Sequence, residues 1–214
     1  ELSSYHHFLV GLGYTPGVES LGAKVFRRSK AARLPEPHTK AGFLGEQAAR
    51  FIRTHRADPF MLFVNFLEPH MPFTGPLDGM YDPAGLPVGP QFLQRPGPNT
   101  LRYHRLMSDW YAQREFGGPD LRTEAGWRTI RARYHGLVTL VDRAVGRILA
   151  ALRDSGLDEN TIVVFTSDHG DMMGDHRLLA KCVMYEEALK VPLLVRAPGS
   201  SPRRVGGRVS QVDL

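Results

Sequence analysis

Between Ile130 and Leu152, apolar residues recur at steps of three and four: Ile130, Tyr134, Leu137, Val138, Val141, Val145, Ile148, Leu149 and Leu152. That spacing predicts one apolar face of a long amphipathic helix, and Gly156 stands where a C-terminal cap belongs. A second helix is predicted to start at Thr39, a good N-cap, with Leu44, Ala48, Phe51 and Ile52 on one face. It ends near His55–Asp58, ahead of Pro59. Two further runs are apolar without alternation, Phe60-Met-Leu-Phe-Val-Asn-Phe66 and Thr161-Ile-Val-Val-Phe-Thr166. Their length and continuity predict strands buried on both faces. A short helix over Val183–Leu189 and a strand at Pro192-Leu-Leu-Val195 complete the order. Helices alternating with buried strands predict an α/β fold, a mostly parallel sheet sandwiched by helices.

Two stretches lack a period. Residues 1–38 are punctuated by Gly and Pro and read as loops with one short strand around Lys24-Val-Phe26. Residues 74–126 are rich in Pro and Gly and read as an irregular insert, a length that is uncommon in a compact domain unless functional, as in a substrate-side lid. The chain has 214 residues, a hydrophobic content of 42% and a net charge of +5, which suits one folded domain with one sizeable core. A single cysteine excludes an internal disulfide framework and a cysteine-cluster zinc site. No apolar run approaches the roughly 18–20 residues of a membrane span. The basic clusters Arg27-Arg28-Ser29-Lys30 and Arg203-Arg204 are not interleaved with aromatics, so they read as solvated loop charge and no nucleic-acid partner is expected. The chain starts at Glu1 without a leader and stops at Val212-Asp213-Leu214 without a terminating signal. The expectation is an internal piece of a longer protein.

The polar residues that could do chemistry gather just beyond the predicted strands, where ligands of open α/β sheets bind. The 161–166 strand runs into Ser167-Asp168-His169-Gly170-Asp171. If the strand ends there and Gly170 lets the backbone turn, a carboxylate oxygen and an imidazole nitrogen converge as half of a metal site. The same residues also fit a plain turn, with Asp168 as a cap and His169 on the surface. The 60–66 strand runs into Glu68-Pro69-His70-Met71-Pro72, where two prolines restrict the backbone around His70. That rigidity suits a histidine donating to an anion, and equally a proline-rich turn carrying an incidental histidine. Lys181 follows at a distance that could bring its ammonium over the same crevice, or leave it in solvent; His176 is a weaker candidate of the same kind. Cys182 has no activating partner in the sequence and reads as a small buried thiol.

In order along the chain, these pieces resemble the sulfatase family of the alkaline phosphatase superfamily. The resemblance rests on Phe66-Leu-Glu-Pro-His-Met-Pro-Phe73, on Tyr134 through Asp142 and Gly146, and on Asp158-Glu-Asn-Thr-Ile-Val-Val-Phe-Thr-Ser-Asp-His-Gly170. It continues through Met173-Gly-Asp-His176, Lys181, Tyr185-Glu186 and Val191-Pro-Leu193, covering most of residues 43–214. It implies that residues 1–214 are part of one sulfatase-like catalytic domain, with N-terminal and C-terminal parts elsewhere. Asp168 and His169 match the late pair of calcium ligands, and some members have Asn at the second place. Lys181 and His70 match catalytic residues that contact the sulfate ester, and His176 is grouped with them as a substrate contact. The family's nucleophile is a formylglycine hydrate made within a Cys/Ser-x-Pro-x-Arg signature, supported by an early aspartate pair and a Lys-x-His element. None of these occurs here, and Cys182 is followed by Val183-Met-Tyr-Glu186, without the proline or the arginine.

What the resemblance implies is therefore half a metal site and no nucleophile: an inactive segment of a sulfuric ester hydrolase. The substrate would be a small-molecule or carbohydrate sulfate ester, and the family's habit of export favours a periplasmic or secreted protein. Two other readings stay open. One is a phosphonate or phosphate mono- or diesterase of the same superfamily. The other is a non-catalytic sulfatase-like protein that binds sulfated glycans through its arginines. Nothing in the sequence addresses the oligomeric state.

Overall fold

Ser3 opens the first helix, α1 (Ser4–Gly11): its hydroxyl accepts the N–H of His6, one of the donors that a helix start leaves without an intrahelical partner. The computed structural model describes residues 3–15, 19–20, 23–24 and 34–214. Eight residues do not sustain a helix alone. This one is held from afar, by Phe8 against Phe43 (ring centroids 4.9 Å apart) and by Leu9 packed with Leu34. The loop reading of residues 1–38 is corrected accordingly. Strands β1 (Glu19–Ser20) and β2 (Ala23–Lys24) pair antiparallel. Val25, Phe26 and the Arg27-Arg28-Ser29-Lys30 cluster lie outside the described residues.

Helix α2 (Lys40–Thr54) starts as its sequence dictates, with the Thr39 hydroxyl accepting the N–H of Gly42 at 3.0 Å. The 74–126 stretch is mostly turns, but it contains α3 (Arg102–Tyr111), which buries Ser108 and Tyr111. Helix α4 (Glu124–Asp154) begins on the Thr123 cap and ends at Gly156, whose φ of +69° places it in the left-handed region. The N–H groups of Gly156 and Leu157 return to the carbonyls of Arg153 and Leu152, each at 2.9 Å, closing a Schellman motif. The buried stripe of α4 is broader than the apolar pattern alone indicates. It includes Ala132, Gly136, Leu140, Ala144 and Ala151, whereas Val138 is 42% exposed. Ala144 enters the stripe because α2 crosses there, a Cβ on Gly45 sitting 3.0 Å from that of Ala144, and Gly136 because the Leu77 carbonyl oxygen would lie 2.5 Å from a Cβ there. Glu36 ties the two helices further, ion-paired to Arg143 at 2.6 Å and also to Arg147.

Strand β3 (Val163–Thr166), helix α5 (Glu186–Leu189) and strand β4 (Leu193–Arg196) complete the order. β3 and β4 run antiparallel, in a register that sets Val163 opposite Arg196 and Thr166 opposite Leu193. Residues 60–66 form neither a helix nor a ladder. Their burial alternates: Phe60 and Leu62 pack with Ile52, Leu152 and Val163, while Met61 and Phe63 are 93% and 83% exposed. The helices cover one side only, and an extended backbone sends alternate side chains away from them. Among the described residues, then, neither parallel pairing nor burial on both faces is found. The main core joins α4 (Trp127, Ile130, Leu137, Leu140) to Phe73, Tyr111 and the chain after β3 (Met172, Met173, Leu178, Leu179, Val183). No helix among the described residues is long and apolar enough to cross a membrane.

Candidate active site

β3 ends at Thr166, and the chain turns at once. The Ser167 hydroxyl donates to the His169 carbonyl at 2.9 Å, and the His169 N–H donates to Oδ1 of Asp168 at 3.0 Å. Gly170 has no positive φ, so its role is not a left-handed turn. It is close approach: a Cβ there would lie 1.9 Å from the Glu187 carbonyl oxygen, and the Gly170 N–H donates to Ala188 O at 2.8 Å. The sequence-based reason for this glycine is corrected on that ground. α5 therefore sits directly against the turn that carries Asp168 and His169.

The imidazole of His169 is fixed by its Nδ1–H, which donates to the Gly170 carbonyl at 2.8 Å. A carbonyl only accepts, so Nδ1 carries the hydrogen, and in the neutral ring Nε2 keeps its lone pair. Nε2 lies 3.4 Å from Oδ2 of Asp168, whose side chain is 82% exposed. At that separation one oxygen and one nitrogen lone pair are offered at the same corner. The backbone anchor on the opposite ring nitrogen is the support that metal-binding histidines use. An oxygen and a nitrogen donor at one exposed corner fit half of a divalent-cation site. Among the described residues, no group of three or more His, Cys, Asp or Glu side chains gathers around a possible metal position.

His70 is built in the same way. It is exposed at the end of the 60–66 segment, between the cis bonds Glu68–Pro69 and Met71–Pro72, and its Nδ1–H donates to Met71 O at 2.8 Å. Phe66 and Met71 pack on the cluster that holds Met172, Leu179 and Val183, so the His70 segment and the 171–183 loop share one foundation. Lys181 is half-buried at the end of that loop. His176 lies flat on Tyr185, with centroids 4.1 Å apart and planes 19° apart, and Nδ1 of His104 from α3 is 3.3 Å from the Tyr185 hydroxyl. One face of His176 is thus covered. Cys182 is exposed rather than buried, because Val183 takes the inward position.

The sequence reading passed over Asp171. This carboxyl is half-buried, and desolvation pushes its pKa up against the backbone amides of Met173 and Ala180 and the charges of Lys181 and His169. Asp171 also lines a cavity of about 190 Å³ with Arg131, Tyr134, His135 and Met173. Arg131 donates to the carbonyls of Met173 and Pro87, each at 3.0 Å, which ties α4 to this loop and to the 74–126 insert. The only local signal was an acidic residue set directly before the apolar pair Met172-Met173. Four non-glycine residues of the loop, Met173, His176, Arg177 and Ala180, have positive φ between 40° and 65°. Backbone strain of this kind persists only where the surroundings enforce it, and it concentrates at functional loops.

The sulfatase family profile matches residues 24–214. A multifunctional alkaline phosphatase superfamily protein of Trinickia caryophylli is 29% identical over 192 residues, 85% of this chain and 37% of the relative. An arylsulfatase of Clostridium perfringens is 33% identical over 167 residues, 73% of this chain and 31% of the relative. The chain spans about a third of the length of these curated relatives. Among solved structures, a phosphonate monoester hydrolase from Silicibacter pomeroyi superposes with a TM-score of 0.73 at 27% identity, over 92% of this chain and 42% of that one. With the profile running through the 60–66 segment, the long helix and the whole 167–181 loop, this chain belongs to the sulfatase family.

Proposed function

We propose that these residues act inside a longer sulfatase-type catalytic domain that hydrolyses a small-molecule or carbohydrate sulfate ester. The observation that carries this reading is the Asp168–His169 pair, two donors 3.4 Å apart on one corner of the loop that leads to Lys181. In this reading Asp168 and His169 hold one divalent ion, calcium by preference for hard oxygen donors, with its remaining ligands outside this chain. When bound, the ion supplies charge for the sulfuryl oxygens, and a formylglycine from outside these residues supplies the nucleophile. The Lys181 ammonium stabilises the anionic oxygens of the transferring group. His70 holds a proton on one ring nitrogen toward the departing oxygen, its ring orientation set by the bond from Nδ1 to Met71 O. His176 contributes through its open edge. The exposed apolar side chains Met61, Phe63, Ile162, Val164 and Leu194 support a mostly parallel sheet in the whole protein, completed and covered by chain outside this segment. Export to the periplasm or medium belongs to the same proposal.

A second reading is favoured by a specific observation: two phosphonate monoester hydrolases superpose on the chain with TM-scores of 0.73 and 0.71. The same five side chains would serve a phosphonate or phosphate ester, since the transferring group is again a tetrahedral anion. Turnover of an aryl sulfate against the matching aryl phosphonate by the complete protein, with and without calcium, separates the two. Higher kcat/KM for the sulfate supports sulfatase action. Higher kcat/KM for the phosphonate assigns the second reading. No turnover of either, with no calcium effect on Tm, refutes catalysis and leaves a glycan-binding protein. The 214-residue segment alone is expected to be inactive.

A further inference from the structure

The loop from Asp171 to Lys181 is closed by a carboxylate that the mechanism above does not use. The Met172 N–H donates to Ala180 O at 3.0 Å, so residues 172 and 180 face each other across a narrow stem. In a regular antiparallel pair the Ala180 N–H would return to Met172 O. That carbonyl is instead taken by the Asp175 N–H at 2.8 Å. Oδ1 of Asp171 takes its place, accepting the N–H of Ala180 at 2.9 Å and that of Met173 at 3.2 Å. One oxygen therefore clamps both ends of a strained loop. Lys181 follows Ala180 directly, and Asp171 stands two residues beyond His169.

We infer that Asp171 is a positioning residue: through the two amides held by Oδ1, it sets where the Lys181 ammonium stands relative to the Asp168–His169 corner. This rests on the role proposed for Lys181. The test uses the complete protein, an aryl sulfate and an aryl phosphonate, and the variants Asp171→Ala, Asp171→Asn, Lys181→Ala and Asp171→Ala/Lys181→Ala. Asparagine keeps an oxygen acceptor of the same shape, whereas alanine releases both amides. With Lys181 misplaced, Asp171→Ala is expected to lose about 100-fold in kcat/KM on the better substrate. Asp171→Asn stays within about threefold of wild type. The double variant is no worse than Lys181→Ala alone, because a residue that acts through Lys181 has nothing left to position. Amide hydrogen exchange over 172–181 should quicken in Asp171→Ala and stay slow in Asp171→Asn. Should Asp171→Ala not fold, Asp171→Glu, which shifts the acceptor by one methylene, replaces it in the same cycle. Additive losses in the double variant, or an Asp171→Asn as poor as the alanine variant, overturn the positioning role. Wild-type activity in Lys181→Ala overturns the reading of Lys181 itself, which is a separate failure visible in a different variant.

Discussion

Replacing Gly170 with alanine adds one methyl group where the structure leaves no room for it. The new Cβ would meet the Glu187 carbonyl oxygen at 1.9 Å and its carbon at 3.0 Å, both backbone atoms. Ordinary contact requires a retreat of more than about 1 Å, and α5 cannot withdraw without breaking the Gly170 N–H to Ala188 O bond. That bond contributes about 1 kcal/mol, and overpacking against the buried Ala188 adds about 1–3 kcal/mol. The stiffer unfolded chain returns about 0.4–1 kcal/mol. The net cost is about 1–3.6 kcal/mol, a fall in Tm of about 2–14 °C for a domain of this size. Gly146 supplies the control. It lies exposed inside α4, a Cβ there meets nothing within 4 Å, and Gly146→Ala should stabilise by about 0.5–1 kcal/mol. Thermal denaturation of the complete protein followed by circular dichroism reads both signs. Equal Tm values for the two variants would refute the close-approach argument for Gly170.

Other perturbations test other parts of the molecule. Burial alone would raise the pKa of Glu36, but hydrogen bonds from Arg143 and Arg147 outweigh it and hold the carboxyl below its ordinary 4.5. A depressed carboxyl stabilises the fold above its unfolded value and loses that contribution as pH falls through the folded one. Glu36→Gln should therefore cost about 1 kcal/mol at neutral pH and flatten the loss of stability below pH ~4.5, measured by urea unfolding across pH. An unchanged acid limb would refute it. Asp168→Ala should abolish any calcium-induced rise in Tm without lowering the calcium-free Tm by more than about 0.5 kcal/mol equivalent, because the side chain is exposed. A calcium shift that survives the substitution would move the metal elsewhere.

Local chemistry read from the chain matched the structure wherever neighbouring residues settle the outcome. The Thr39 cap and the glycine stop of α4 act through bonds within one or two turns, so their residue types suffice. Apolar periodicity placed α4, but not the small residues Gly136, Ala144 and Ala151 in its buried stripe, because their burial depends on what crosses the helix. α1 was missed for the same reason, since its support comes from Phe43 and Leu34. Val163, inward at the start of β3, and Met61, fully exposed, are equally apolar; only the position of the covering helices separates them.

The candidate site divides along the same line. Asp168, His169, His70 and Lys181 stand as candidates on residue type and order alone, because their motifs are short and contiguous. The setting of those groups belongs to the folded chain alone. It decides which nitrogen of His169 carries the hydrogen, why Gly170 is a glycine, and that one oxygen of the half-buried Asp171 accepts two amides of its own loop. A motif records what a residue can donate or accept; burial and approach distance arise from segments far apart in sequence, and they exist only once those segments have met.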